Sequence, residues 1–94
     1  MSVEEIEKLS NLYKVLGEKN RLGILCLLEK ESLCVHQLMC ELNISQSLVS
    51  HQLKILRDAN IVVSQRRGNE VVYSLADKHI AILLEMAKEH INEK

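Results

Sequence analysis

The chain contains no proline, no phenylalanine and no tryptophan, and only two tyrosines, Tyr13 and Tyr73. Without large aromatics its core has to be aliphatic, built from Leu, Ile and Val. The lack of proline, the three glycines (Gly17, Gly23, Gly68) and a 47% hydrophobic content exclude collagen-like, proline-rich and disordered chains. Three cysteines are too few, and odd in number, for a disulfide scaffold. No run approaches the roughly 18 apolar residues of a membrane span. The opening MSVEEIEKLS is acidic where a secretory signal would be basic. These features read as a soluble protein of a reducing cytoplasm with no membrane partner. Charge of one sign is also missing: 12 Lys plus Arg face 13 Asp plus Glu, a net −1 that, taken whole, argues against a nucleic-acid binder. A length of 94 residues suits one domain, 1–94. At that size a lone copy buries only about two-thirds of its unfolded surface.

What is present is helical periodicity broken by one β-rich stretch. Over 3–16, Ile6, Leu9, Leu12, Tyr13 and Leu16 keep three-four spacing behind the acids Glu4, Glu5 and Glu7, with Gly17 as a stop. Asn20 is placed to cap a second helix over 21–29, whose nearly all-round apolar run predicts burial. A third, short helix opens at Ser32 or the next residue and ends near Leu42. Ser45 caps a fourth that runs to about Asp58, with Leu48, Val49, Gln52, Leu53 and Leu56 at helical spacing. The tight break between them, 41–45, has the form of a helix-turn-helix. From Ile61 the residues become β-branched: 61–66 and 70–75 read as strands around the turn residues Arg67-Gly68-Asn69. From Asp77 a last helix carries Ile80, Leu83, Leu84, Ala87 and Ile91 as an apolar stripe. The fold class is therefore mainly α with a β-hairpin: four helices, a two-stranded hairpin and a fifth helix, a winged helix-turn-helix.

The even charge balance conceals a local asymmetry. Between Ser45 and Arg67, the bases Lys54, Arg57, Arg66 and Arg67 face the single acid Asp58, so this stretch carries +3 and the remainder −4. Phosphate contacts need such a local basic stripe, whatever the total charge. Gln46, Ser47, Ser50, His51 and Lys54 form a hydrogen-bonding face near the start of the fourth helix, where a recognition helix meets base edges. Gln pairs with adenine and Ser with either kind of partner. Arg66 and Arg67 at the hairpin tip suit the DNA backbone or minor groove. The competing reading of these residues is a solvated polar face with an ordinary Ser cap.

The stretch Leu42-Asn43-Ile44-Ser45-Gln46-Ser47-Leu48-Val49-Ser50-His51-Gln52-Leu53-Lys54-Ile55-Leu56-Arg57 resembles the recognition helix of the ArsR/SmtB family of metal-responsive repressors. The wing of that family is similar to Arg66-Arg67-Gly68-Asn69-Glu70-Val71-Val72-Tyr73-Ser74-Leu75, and its third-helix box to Leu33-Cys34-Val35-His36-Gln37-Leu38. The resemblance covers nearly the whole chain. It implies a homodimeric repressor that holds double-stranded operator DNA in the apo form and releases it when an inducer binds.

Metal-ligating residue types gather on the last helix: Asp77, His79, His90 and Glu93. His79 and His90 are eleven residues apart, which returns them to nearly one face but separates them by roughly 16 Å. One helix cannot put both on one ion, where ligand bonds are about 2 Å. Two antiparallel copies can, with Asp77 and His79 of one chain meeting His90 and Glu93 of the other. Two imidazoles and two carboxylates favour zinc, with cobalt or nickel as alternatives. On residues alone, the stronger reading is that Asp77 is a helix cap and the rest a charged surface. The resemblance favours the metal reading: all four positions match the zinc-sensing fifth-helix pattern of the family.

A second cluster is Cys34, His36 and Cys40. Arsenic-sensing and lead/cadmium-sensing members use a Cys-x-Cys pair at Cys34 and the position held here by His36, so this chain departs from that pattern, and Gln37 replaces a common acidic residue. Cys34 and Cys40 diverge by roughly 120° on a helix. Cys34 and His36 remain a candidate accessory metal or thiol site against a buried Cys beside an exposed His; Cys26 reads as core. The expected function is a zinc-responsive repressor that reads a palindromic operator as a dimer joined through Ile6, Leu9, Leu83, Leu84 and Ile91. A thiol sensor for arsenite, cadmium or oxidants using Cys34 is the same-fold alternative. A ligand-independent DNA-binding module is the other. No glycine-rich phosphate loop or nucleophile–base set is present, so an enzyme is not expected.

Overall fold

The computed structural model describes residues 1–93. Its elements run α1 (Val3–Leu16), α2 (Lys19–Leu28), β1 (Leu33–Cys34), α3 (Val35–Leu42), α4 (Gln46–Asp58), β2 (Val62–Arg67), β3 (Glu70–Leu75) and α5 (Lys78–Asn92). This is the winged helix expected, with one strand more. β1 joins the hairpin in an antiparallel sheet of order β1-β3-β2, pairing Leu33 with Tyr73 and Cys34 with Val72.

The extra strand moves the start of α3 to Val35. Leu33 and Cys34 spend their backbone on β3, and helix begins only beyond them. Gln37 then accepts a hydrogen bond from the Cys34 N–H at 2.9 Å, the backward half of a capping box. A second difference concerns α2. Its cap is Glu18, not Asn20: the Glu18 carboxylate accepts from the N–H groups of Asn20 and Arg21 at 3.0 and 3.1 Å. These bonds to the ionised form, that to Asn20 foremost, hold the carboxyl below its ordinary range.

The core is aliphatic, as the composition required. Ile24, Leu25, Leu38, Val49, Leu53, Leu56, Ile61 and Val62 are almost wholly buried. α2 is less enclosed than its run suggested: Leu22 is exposed and Cys26 half-buried. α2 and α3 approach closely at Gly23, where a Cβ would lie 3.0 Å from Leu42. Among the described residues no helix is long and apolar enough to cross a membrane.

Candidate nucleic-acid interface and donor-bearing helix face

α4 is positioned at both ends by its own sequence. At its start the Ser45 hydroxyl accepts from the Leu48 N–H at 3.1 Å. Just before it, Asn43 takes the left-handed conformation (φ 54°), which turns the chain from α3 into α4. At its end Asn60 is also left-handed (φ 60°). Ile61 N–H bonds the Leu56 carbonyl at 2.9 Å and Asn60 N–H that of Arg57 at 3.0 Å, a Schellman motif. Leu56 and Ile61 are both buried there, which fixes the angle at which the chain enters β2.

Between these caps α4 is two-faced. Val49, Gln52, Leu53 and Leu56 point into the core, while Gln46, Ser47, Ser50, His51, Lys54 and Arg57 are exposed. All five candidate DNA-contacting residues of α4 thus share one solvent face with Arg57. Lys54 pairs with Asp58 one turn on, at 3.1 Å between exposed side chains. The wing extends outward: in β2 only Val62 is buried, and everything from Val63 to Arg67 is exposed. Arg66 pairs across the ladder with Val71 and Arg67 with Glu70. Gly68 at φ 61° makes the tip, the first central position of a II′-type hairpin turn. Arg67 also donates to the Gln65 side chain at 3.4 Å.

The sequence pattern missed what holds α4 from behind. Gln52 is buried, and its Oε1 accepts from Arg21 Nη1 at 2.8 Å. Arg21 Nε donates in turn to the Val15 carbonyl at 2.7 Å. A glutamine among the apolar positions of α4 was the available signal, since a buried amide needs a partner from elsewhere.

On α5 the Asp77 carboxylate accepts from the N–H groups of His79 and Ile80 at 2.9 and 3.3 Å, and stands 3.5 Å from His79 Nδ1. Asp77, His79, His90 and Glu93 are all exposed. Among the described residues no three His, Cys, Asp or Glu side chains of one chain come together around a metal position. At about 100° per residue, His79, Ile82, Met86, His90 and Glu93 fall within one stripe. Ile82 and Met86 are 52% and 53% exposed, so two apolar side chains lie on an open face between the donors at its ends. Leu84 points the other way and belongs to the chain's own core at 6% exposure, so it is not available to a dimer interface. Leu83 is half-buried. Lys88 pairs with Glu29, tying α5 to the end of α2; the ammonium holds the Glu29 carboxyl below its ordinary range.

In the third-helix cluster, Cys34 is buried and His36 exposed. Both line a hollow of about 330 Å³ that also reaches Met39 and Gln46. The hydrogen-bonding neighbour of the His36 ring, however, is Cys40.

Comparison with known proteins agrees with this geometry. Residues 18–64, which run from the α2 cap through the recognition helix into the wing, match the model of the bacterial regulatory protein arsR family. The chain is 36% identical over 93 residues to the transcriptional repressor SmtB homolog of Synechocystis, covering 99% of this chain and 70% of that one. It is 38% identical over 90 residues to the HTH-type transcriptional repressor SmtB of Mycobacterium tuberculosis, covering 96% and 67%. The crystal structure of M. tuberculosis Rv0081 superposes with a TM-score of 0.88 at 32% identity, covering 96% of this chain and 91% of that one. With its winged helix, capped recognition helix and family match, the chain belongs to the arsR family of bacterial regulatory proteins, DNA-binding regulators of transcription.

Proposed function

We propose that the protein is a zinc-responsive transcriptional repressor that holds a palindromic operator as an apo dimer and releases it when the metal binds. The observation that carries this reading is the open face of α5, where exposed Ile82 and Met86 lie between His79 at one end and His90 and Glu93 at the other. A face of that composition suits a second copy of the same face, since two-fold packing buries the apolar residues and brings one end of each helix to the other end of its partner. α1 adds Ile6, Leu9 and Tyr13, which are exposed along one side. Between α1, α2 and α5 lies an apolar hollow of about 210 Å³ walled by Tyr13, Leu16, Leu22, Leu83 and Ala87.

The donor set fits zinc. Asp77 and His79 of one chain with His90 and Glu93 of the other supply two imidazoles and two carboxylates, with Asp77 already ordered by its capping bonds. When bound, the metal supplies a link between the two α5 helices. The chain does the rest. Gln46, Ser47, Ser50 and His51 meet base edges, while Lys54, Arg66 and Arg67 meet phosphates. The dimer spaces two recognition helices for half-sites about one turn apart. A dimer held in another arrangement loses that match, so metal and operator oppose each other through one coupling free energy, typically about 1–3 kcal/mol.

The Cys34 thiol-sensor reading is the weaker one, because Cys34 is buried as the cap of α3. The test is a zinc titration of the dimer and of its operator complex in parallel. Zinc should bind the free dimer more tightly, and His79→Ala with His90→Ala should abolish release while leaving apo binding intact. Equal zinc affinity in both states, or normal release by the double variant, overturns the proposal.

A further inference from the structure

The wing carries an acid among its phosphate-seeking arginines. Glu70 is the one Asp or Glu between Asp58 and Asp77, in a stretch that holds Arg66 and Arg67. The ladder sets Glu70 directly opposite Arg67 at the hairpin tip, and Gln65, two residues before Arg67, shares their face. That register favours an ion pair, yet among the described residues Glu70 makes none, and the Arg67 guanidinium donates to Gln65 instead. Glu70 is exposed, and it borders the hollow of about 330 Å³ that Gln46 borders from the first turn of α4. The acid therefore stands between the wing tip and the end of α4 that faces base edges.

We propose that Glu70 is a specificity-determining residue, which accepts a hydrogen bond from the exocyclic amine of a base, cytosine N4 or adenine N6, beside the pair that Gln46 reads. A carboxylate accepts and never donates, so phosphates and the acceptor atoms of base edges repel it, and amino groups are its partners in the groove. With the matching base, the hydrogen bond offsets repulsion from the flanking phosphates. On any other sequence the repulsion stands alone and weakens binding. Arg66 and Arg67 supply attraction that is blind to sequence, and Glu70 opposes it wherever the base is wrong. This inference rests on the DNA-facing reading of α4 and the wing, and it does not depend on the zinc reading.

The test is selection of binding sites by the full chain from random-sequence duplexes long enough for two half-sites. It is run with chelator and separately with zinc chloride, and the condition that retains DNA is carried forward. Glu70→Ala should lose the preference at one base pair in each half-site and keep the others. On the unselected pool Glu70→Ala and Glu70→Gln should both bind more tightly, by up to about fivefold, the scale of one exposed charge interaction. The base pair whose preference is lost identifies the amine. Replacing its cytosine or adenine by the analogue that lacks only the amino group should weaken the natural chain about fivefold or more and leave Glu70→Ala unaffected. Preferences that survive Glu70→Ala at every position, unselected binding that fails to tighten, or an amine deletion felt equally by both chains overturns the role of Glu70. If Gln46→Ala meanwhile loses its own base pair and Lys54→Ala its share of the salt slope, the reading of α4 stands without Glu70. A natural chain that selects no sequence in either condition overturns both.

Discussion

Arg21 and Gln52 stand 31 residues apart in sequence and 2.8 Å apart in space, guanidinium to amide oxygen. The bond crosses from α2 to the buried side of the recognition helix, and the second bond of Arg21, to the Val15 carbonyl, ties in the last turn of α1. Gln52 is the one buried polar side chain among the described residues, and none of their buried side-chain nitrogen or oxygen atoms lacks a partner. Removing Arg21 leaves a buried amide unsatisfied. Arg21→Ala should therefore cost about 1–3 kcal/mol in chemical denaturation. Arg21→Met with Gln52→Leu should cost less than the sum of the single changes, by roughly 0.5–3 kcal/mol of coupling. Arg21 supports α4 without touching phosphate in this reading, so Arg21→Ala should weaken DNA binding with an unchanged salt slope.

Lys54 behaves in the opposite way. Its ion pair with Asp58 joins two side chains that are 68% and 62% exposed, and such pairs contribute about 0–1 kcal/mol. Lys54→Ala should leave stability within about 0.5 kcal/mol. It should reduce the slope of log affinity against log salt by about one. Asp58→Asn frees the ammonium and removes an acid from the basic stripe, so DNA binding should tighten. A Lys54 variant with the full salt slope would take this residue off the list of phosphate contacts.

The exposed face of α4 was legible because three-four spacing separates Val49, Leu53 and Leu56 from Ser47, Ser50 and Lys54 without help from any other element. The Ser45 cap and the Gly68 turn were legible for the same reason: each is a local conformation with a local chemical signature. β1 was not, because two residues are too few to show alternation and Leu33 and Cys34 become a strand only by pairing with β3. The α2 cap was misplaced by one preference rule. Asn leads as a cap in general, but here the longer Glu18 side chain reaches both free N–H groups. On α5 the pattern showed one apolar stripe where there are two. Ile82 and Met86 were passed over because periodicity identifies apolar positions and not which of them the chain covers itself. The contact between His36 and Cys40 was not singled out, although positions four apart meet on a helix.

Glu18 gives a dependence on pH. Hydrogen bonds from the backbone at Asn20 and Arg21, and the Arg21 charge, favour its ionised form, so its folded-state pKa lies below the unfolded value. In acid the unfolded chain then binds more protons than the folded one, and stability rises with pH through this range. The contribution of Glu18 is present above its unfolded pKa and lost as pH falls through the lowered folded value. Glu18→Gln should be less stable than the natural chain at pH 7, and the difference should shrink in strong acid. Denaturant midpoints of both proteins across that range measure it; a constant difference would mean that the charge of Glu18 plays no part.

Leu84 on one side of α5 and Ile82 with Met86 on the other should respond in contrasting ways, because the first faces the core and the other two face out. Leu84 is 6% exposed, and Leu84→Ala should cost about 2–5 kcal/mol through the lost contacts and the cavity left behind. Ile82 is 52% exposed and Met86 53%, so Ile82→Glu with Met86→Glu should leave the helix content of each chain unchanged. Like charges would then face one another across a two-fold axis and separate the copies. On the proposed dimer, sedimentation should show the natural chain as a dimer and the double variant as a monomer. Operator affinity should fall well beyond the loss from any one phosphate contact, because one recognition helix reads only one half-site. A folded double variant that stays dimeric would place the interface elsewhere, and Asp77, His79, His90 and Glu93 would no longer meet across it.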